Sequence, residues 1–216
     1  MPGPPPDGLP PEGAAPEGAA PVGLLLAGGA GRRMGRPKAL VELDGQPLLR
    51  RALDALRAGG AGPLVVVLGA AADQVAELVA DDVRVVIAAD WADGMGASLR
   101  AGLRALAELP EVTAALVHLV DLPGVGAPVI SRMVAESTGD PAVLARAGYH
   151  GAPGHPVLLG RAHWGGVRAA ARGDAGARDY LAGHPALRLV ECGELADPRD
   201  VDTPDALRDF RSGRPG

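Results

Sequence analysis

Cysteine occurs once in the 216 residues, at Cys192, lysine once, at Lys38, and asparagine not at all. Aromatic residues make up 2% of the chain, with one Phe, two Tyr and two Trp. A single cysteine excludes an internal disulfide framework and suits a reducing compartment. So few aromatics argue against a base-stacking nucleic-acid surface. No basic segment leads into an apolar stretch as a secretory signal would. The apolar run Leu64–Ala72 is far too short to span a bilayer. The formal charge of −5 falls to −2 once Asp7, Glu12 and Glu17 near the N-terminus are set aside. That leaves no electrostatic case for DNA, RNA or an anionic membrane. The expectation is a cytoplasmic protein that binds neither nucleic acid nor membrane.

What is abundant divides by place. The chain holds 32 Gly and 21 Pro. Residues 1–21 take 8 of the prolines and 4 of the glycines without a Gly-X-Y register, and lack the apolar density to fold. They are expected to form a disordered tail before one domain over residues 22–211. Hydrophobic content of 47% is enough for that domain to bury a core. Arg occurs 20 times, while Lys, Asn, Ile, Tyr and Phe are rare or missing, the bias of a GC-rich genome. Under that bias Arg replaces Lys wherever any cation serves, which draws attention to Lys38. Chance survival is the competing explanation.

Between the ends, apolar runs alternate with amphipathic segments. Strands are expected at Val22–Ala27, Leu64–Leu68, Val83–Ala88 and Ala114–Val120, and helices at Leu48–Ala58, Asp73–Val79, Ala97–Leu106 and Pro128–Glu136. Strands apolar on both faces, separated by helices, imply a doubly wound, mostly parallel α/β sheet. After residue 140 the pattern changes. Ala142–Ala147 and Pro156–Leu159 flank a Gly-rich segment and read as a small antiparallel insertion, followed by a helical stretch, a strand at Ala186–Glu191 and a helix at Pro204–Phe210. In such sheets ligands bind beyond the carboxyl ends of the strands, so the loops at 28–37, 69–73, 89–98 and 121–127 are expected on one face.

The first of these loops, Leu26-Ala27-Gly28-Gly29-Ala30-Gly31-Arg32-Arg33-Met34-Gly35-Arg36-Pro37-Lys38, is the strongest signal. Its glycines let backbone N–H groups approach a polyphosphate, and Arg33 and Lys38 supply charge. The dinucleotide fingerprint G-x-G-x-x-G fails at Met34, and the P-loop fails at Pro37-Lys38-Ala39. Pro37 also disfavours helix at Arg36, so the loop does not run straight into a helix. Asp121 follows a buried strand, where a carboxylate can hold Mg²⁺ against phosphate oxygens; a turn or helix N-cap is the alternative. Gly94–Leu99 is a small-residue loop leading into a helix, suited to close approach of a base or ribose, or simply a tight turn. His118 lies inside an apolar strand and is expected to be a hydrogen-bonded core residue. His163, His184 and Cys192 show no ligand spacing.

The glycine loop resembles the signature of the nucleotidyltransferases that attach a nucleotide to molybdopterin. The resemblance extends through Gly94-Met95-Gly96-Ala97-Ser98-Leu99, Val120-Asp121-Leu122-Pro123, Gly154-His155-Pro156-Val157, Gly173-Asp174-Ala175-Gly176-Ala177-Arg178 and Val201-Asp202-Thr203-Pro204. In that order the motifs are most similar to the molybdenum cofactor cytidylyltransferase branch, although Leu-Ala-Gly-Gly matches the guanylyltransferase branch. The resemblance implies a Rossmann-like, GT-A-type fold and transfer of CMP from CTP to a phosphorylated acceptor such as molybdopterin, with Mg²⁺ as cofactor. Arg33 and Lys38 would be catalytic. Leu26, Ala27, Gly28, Gly29, Gly31, Gly94, Gly96 and Ser98 would bind nucleotide, Asp121 and Asp202 metal, and His155 and Arg178 the acceptor. An exposed turn His, a solvated Arg and a helix start at Asp202 are the plain alternatives. A molybdoenzyme or its chaperone is the implied protein partner. GTP use, another phosphorylated acceptor, an NAD(P)H-dependent oxidoreductase related to nicotine blue oxidoreductase, and a nucleotide-binding module without catalysis stay open.

Overall fold

A computed structural model describes residues 20–213. Apart from its last two positions, the expected tail lies outside the described residues. The Pro21 carbonyl accepts a hydrogen bond from Gly62 N.

The continuous apolar runs form the middle of the sheet, as their two-sided burial requires. Strand β1 (Val22–Ala27) is buried throughout. A two-stranded ribbon, β2 (Glu42–Leu43) and β3 (Gln46–Pro47), turns the chain into helix α1 (Leu48–Ala58). Leu48, Leu49, Ala52, Leu53 and Leu56 give α1 one buried stripe, the spacing of an amphipathic surface helix. Then come β4 (Leu64–Leu68), α2 (Ala72–Ala76), β5 (Arg84–Ile87), α3 (Met95–Ala107), β6 (Ala114–Leu119) and α4 (Ala127–Val134). The remaining elements are β7 (Leu144–Tyr149), β8 (Ala152–Gly160), α5 (Trp164–Ala170), α6 (Arg178–Leu181), β9 (Arg188–Glu191) and α7 (Pro204–Arg211).

One seven-stranded sheet runs β5-β4-β1-β6-β8-β7-β9. The pairs β5–β4, β4–β1, β1–β6 and β7–β9 are parallel, whereas β8 is antiparallel to β6 and β7. The hairpin expected as an insertion is therefore part of the main sheet. Its turn is narrow, with His150 and Gly151 both at positive φ, because most of the Gly-rich segment is extended in β8. Two cores cover the sheet. Leu25, Val66 and Leu116 face one, with α1 and α4; Leu24, Val67 and Val117 face the other, with α3 and α5. Among the described residues no helix is long and apolar enough to cross a membrane.

From β1 the chain winds outward through β4 to β5, then returns across the sheet to β6 on the other side of β1. The order reverses between β1 and β6, so their carboxyl ends splay apart and leave a crevice.

Candidate active site

That crevice is a cavity of about 710 Å³, within the range of small-molecule sites. The glycine loop forms one wall. Gly31 has φ +61, and a Cβ there would run into the Arg36 carbonyl, so the loop folds back on itself only with glycine at this position. Gly28 packs so closely on α3 that a Cβ would lie 2.7 Å from Ser98 Oγ. Beyond Pro37 the chain makes a single 3₁₀ turn, Lys38–Leu40, anchored by buried Ala39. The helix α1 begins only ten residues after Lys38, as the proline suggests.

Lys38 is the centre of the charged cluster. Its Nζ donates to Asp121 Oδ2 at 2.6 Å and also to Asp202 Oδ1. Arg33 donates to the other Asp202 oxygen. The Lys38, Asp121 and Asp202 side chains are 15–19% exposed, while that of Arg33 is 71% exposed. Asp121 stands two residues past β6. Its backbone carbonyl accepts from Val201 N at 2.9 Å, which ties residues 197–202 to the strand end. The N-cap of α7 is Thr203, with Oγ1 accepting from Ala206 N at 3.1 Å and Pro204 in the first turn. Asp202 is thereby left free to face Lys38 rather than capping the helix.

Burial alone would lower the Lys38 pKa, but the Asp121 charge and the hydrogen bonds to Asp121 and Asp202 raise it above the usual lysine value. Burial likewise pushes Asp202 upward, and the hydrogen bonds from Lys38 and Asp200 together with the Lys38 and Arg33 charges more than reverse this, so its pKa is lowered. Asp200 goes the other way: burial and neighbouring Asp202 raise its pKa. The ammonium and the Asp202 carboxylate are therefore ionised together at neutral pH.

The opposite wall is the N-terminal end of α3. Gly94 has φ +100, and a Cβ there would meet Gly173 and Asp174. The Gly173–Arg178 motif thus docks against the start of α3, and Asp174 Oδ1 accepts from Met95 N at 3.4 Å. The cavity lining includes Leu26, Gly28, Gly29, Gly31, Arg33, Lys38, Gly94, Ser98, Asp121, Arg178 and Asp202. Two expected nucleotide-binding residues are elsewhere. Ala27 points into the core with α1, and Gly96 is buried where a Cβ would lie 2.8 Å from Arg172 N. Their small size serves packing. His155 lines an adjoining side pocket, with Leu26, Met95 and Arg178 shared between the two.

Sequence reading missed Arg32, Trp91, Asp174 and Asp200 in the lining. Trp91 had a signal, as one of only two tryptophans, following a strand on the ligand-binding edge. His118 requires a correction. It is buried in β6, but neither ring nitrogen has a hydrogen-bond partner. The neighbouring strands β1 and β8 spend their backbone polar groups on the sheet ladder. Burial, with a smaller contribution from His155, pushes its pKa down to about 3. His163 is satisfied by Tyr180 Oη and Ala142 O at 2.8 and 2.9 Å.

Two carboxylates meeting at one ammonium are close enough to share one cation. Hard oxygen donors of this kind fit Mg²⁺ or Mn²⁺; Mg²⁺ usually takes one or two carboxylates and completes its shell with phosphate and water. No cluster of three or more His, Cys, Asp or Glu side chains suited to a metal occurs among the described residues. The donor set thus fits a metal that arrives with a nucleotide.

Residues 23–189 match the MobA-like NTP transferase domain. The nicotine blue oxidoreductase of Paenarthrobacter nicotinovorans is 36% identical over 196 residues, 84% of this chain and 91% of that protein. A molybdenum cofactor guanylyltransferase of Rhodobacter capsulatus is 68% identical over 31 residues, 14% of this chain and 16% of that protein. Among solved structures, Rv0371c of Mycobacterium tuberculosis H37Rv in complex with manganese superposes with a TM-score of 0.72 at 28% identity, over 90% of this chain and 99% of that one.

Proposed function

The chain belongs to the MobA-like NTP transferase family, and from that footing we propose that it transfers CMP from CTP to a phosphorylated acceptor of the molybdopterin type. The observation that carries this reading is the convergence of Asp121 and Asp202 on Lys38 beside the glycine loop. The manganese complex of Rv0371c supports a divalent cation, for which Mg²⁺ is the expected physiological choice.

An oxygen of the acceptor phosphate attacks the α-phosphorus of CTP. The bond from that phosphorus to the α,β-bridging oxygen breaks, and pyrophosphate leaves. Asp121 and Asp202 would hold the cation, which would supply charge neutralisation of the triphosphate. Lys38 exchanges its carboxylate partners for α-phosphate oxygens, and Arg33 covers the leaving pyrophosphate. The backbone N–H groups of the loop add fixed donors in a site where charge develops. An ionised acceptor phosphate needs no general base, and among the described residues no histidine lines the cavity. The small-residue start of α3 and the Trp91 ring offer surfaces for ribose and base. The cytoplasm, with its reducing conditions, is the proposed setting.

Two further readings have specific support. The guanylyltransferase relative and the Leu-Ala-Gly-Gly start favour GTP as the donor. The nicotine blue oxidoreductase relative favours hydride transfer from NAD(P)H, against which stands the break in the dinucleotide fingerprint at Met34. Purified protein is incubated with each NTP, Mg²⁺ and molybdopterin, and pyrophosphate is measured. Release with CTP above GTP is expected. Release with GTP alone moves the base assignment, and NAD(P)H oxidation without pyrophosphate overturns transfer altogether.

A further inference from the structure

Beside the main cavity is a smaller pocket of about 60 Å³, room for several waters or one phosphoryl-sized group. Its walls are apolar, with Leu26, Met95, Leu99, Val117 and Leu159, and its polar groups are Arg146, His155 and Arg178. No lining residue is acidic. Arg146, on β7, is partly buried, and its Nε donates to Gly154 O at 2.8 Å. That bond fixes the plane of the guanidinium and leaves both Nη atoms without an acceptor among the described residues. Burial and the neighbouring Arg178 lower its pKa. Burial and Arg146 together bring His155 down to about 4.

A partly buried cation facing a second arginine is costly unless a counter-charge arrives. Lys38 and Arg33 in the main cavity are paired with carboxylates, whereas no acidic residue lines the pocket that Arg146 faces. A planar guanidinium with two free Nη atoms matches two oxygens of a phosphate. We propose that Arg146, with His155 and Arg178, binds the phosphate monoester of the second substrate. Assigning that phosphate to the acceptor rests on the transfer reading above; the anion site itself does not. Neutral His155 donates one N–H, and exposed Arg178 spans the mouth between the two cavities, so the anion enters from the nucleotide side.

The test titrates inorganic phosphate into the full chain at neutral pH, following the His155 ring by NMR and the melting temperature. A saturable His155 shift and a rise in melting temperature are expected. Arg146→Gln should abolish both while melting no lower than wild type without phosphate, whereas Lys38→Ala should keep the His155 response. If Arg146→Gln does not fold, Arg146→Lys serves, with phosphate affinity expected to fall about tenfold as the bidentate fork is lost. A His155 response indifferent to Arg146, or abolished by Lys38→Ala, overturns the proposal. In turnover, Arg146→Gln should raise the acceptor KM at least tenfold and leave the nucleotide KM unchanged. Phosphate binding that depends on Arg146 without any pyrophosphate release would refute the transfer reading and leave the anion site standing.

Discussion

The two cavities at the strand ends treat charge in opposite ways. In the larger one, Lys38 and Arg33 are matched by Asp121 and Asp202, so these four groups sum to neutral. In the smaller one, Arg146 faces Arg178 and His155 with no carboxylate. The fold explains the division. The parallel strands β1 and β6 end at the crevice and carry acidic and basic loops of their own. The hairpin strands β7 and β8 enter from the antiparallel half and bring only basic groups. A compensated cluster suits a ligand that brings both a metal and negative charge, since each protein ion then exchanges one partner for another. An uncompensated pocket suits a simple anion.

The sharpest way to break the contrast is at Lys38. Lys38→Ala should lower kcat by roughly 10²–10³-fold, the usual effect of removing one donor aimed at developing charge, with the circular dichroism spectrum unchanged. Near-normal turnover would remove Lys38 from the chemistry. Asp121→Asn should come next: pyrophosphate release at saturating nucleotide should fall and need more divalent metal, and an unchanged metal dependence would show that Asp121 holds no cation. Arg146→Gln follows, acting on the acceptor KM as described above.

Two smaller effects test the scaffold. His118 titrates at about 3 when folded and near 6.5 when unfolded, so the unfolded chain binds more protons between those values. Its contribution is full above pH 6.5 and is lost as pH falls toward 3, at a slope approaching about 1.4 kcal/mol per pH unit. His118→Leu should flatten that part of the stability profile in urea melts; an unaltered slope would assign it to other groups. Thr203→Ala should cost about 1 kcal/mol of stability through the lost cap and loosen Asp202, with a modest increase in the metal requirement.

Much of this arrangement was legible in the chain. The boundaries of β1, α1 and β4 follow directly from apolar runs and a helical stripe, because central parallel strands and amphipathic helices leave clear patterns. The edge strand β5 is shorter than its apolar run, since exposed Val85 and Ile87 gain little from further pairing. Lys38, Asp121 and Asp202 were found through motifs and the two aspartates were expected at one cation, but their ion pairs with Lys38 were not expected, because they depend on the hydrogen bond from Val201 N to the Asp121 carbonyl across 80 residues of chain. Arg146 left no trace in the sequence. One arginine among 20 in an apolar strand looks like an edge residue until the hairpin places it beside Arg178. His118 was misjudged for a related reason: whether a buried imidazole finds a partner depends on the opposite strand and the covering helix.

The most direct test of the central claim is pyrophosphate release by wild type and Lys38→Ala, at saturating CTP, Mg²⁺ and molybdopterin. Metal-dependent release by wild type and a loss of at least a hundredfold in the variant is expected. Equal release by both proteins, or none from wild type with any nucleoside triphosphate while NAD(P)H is oxidised, would contradict it.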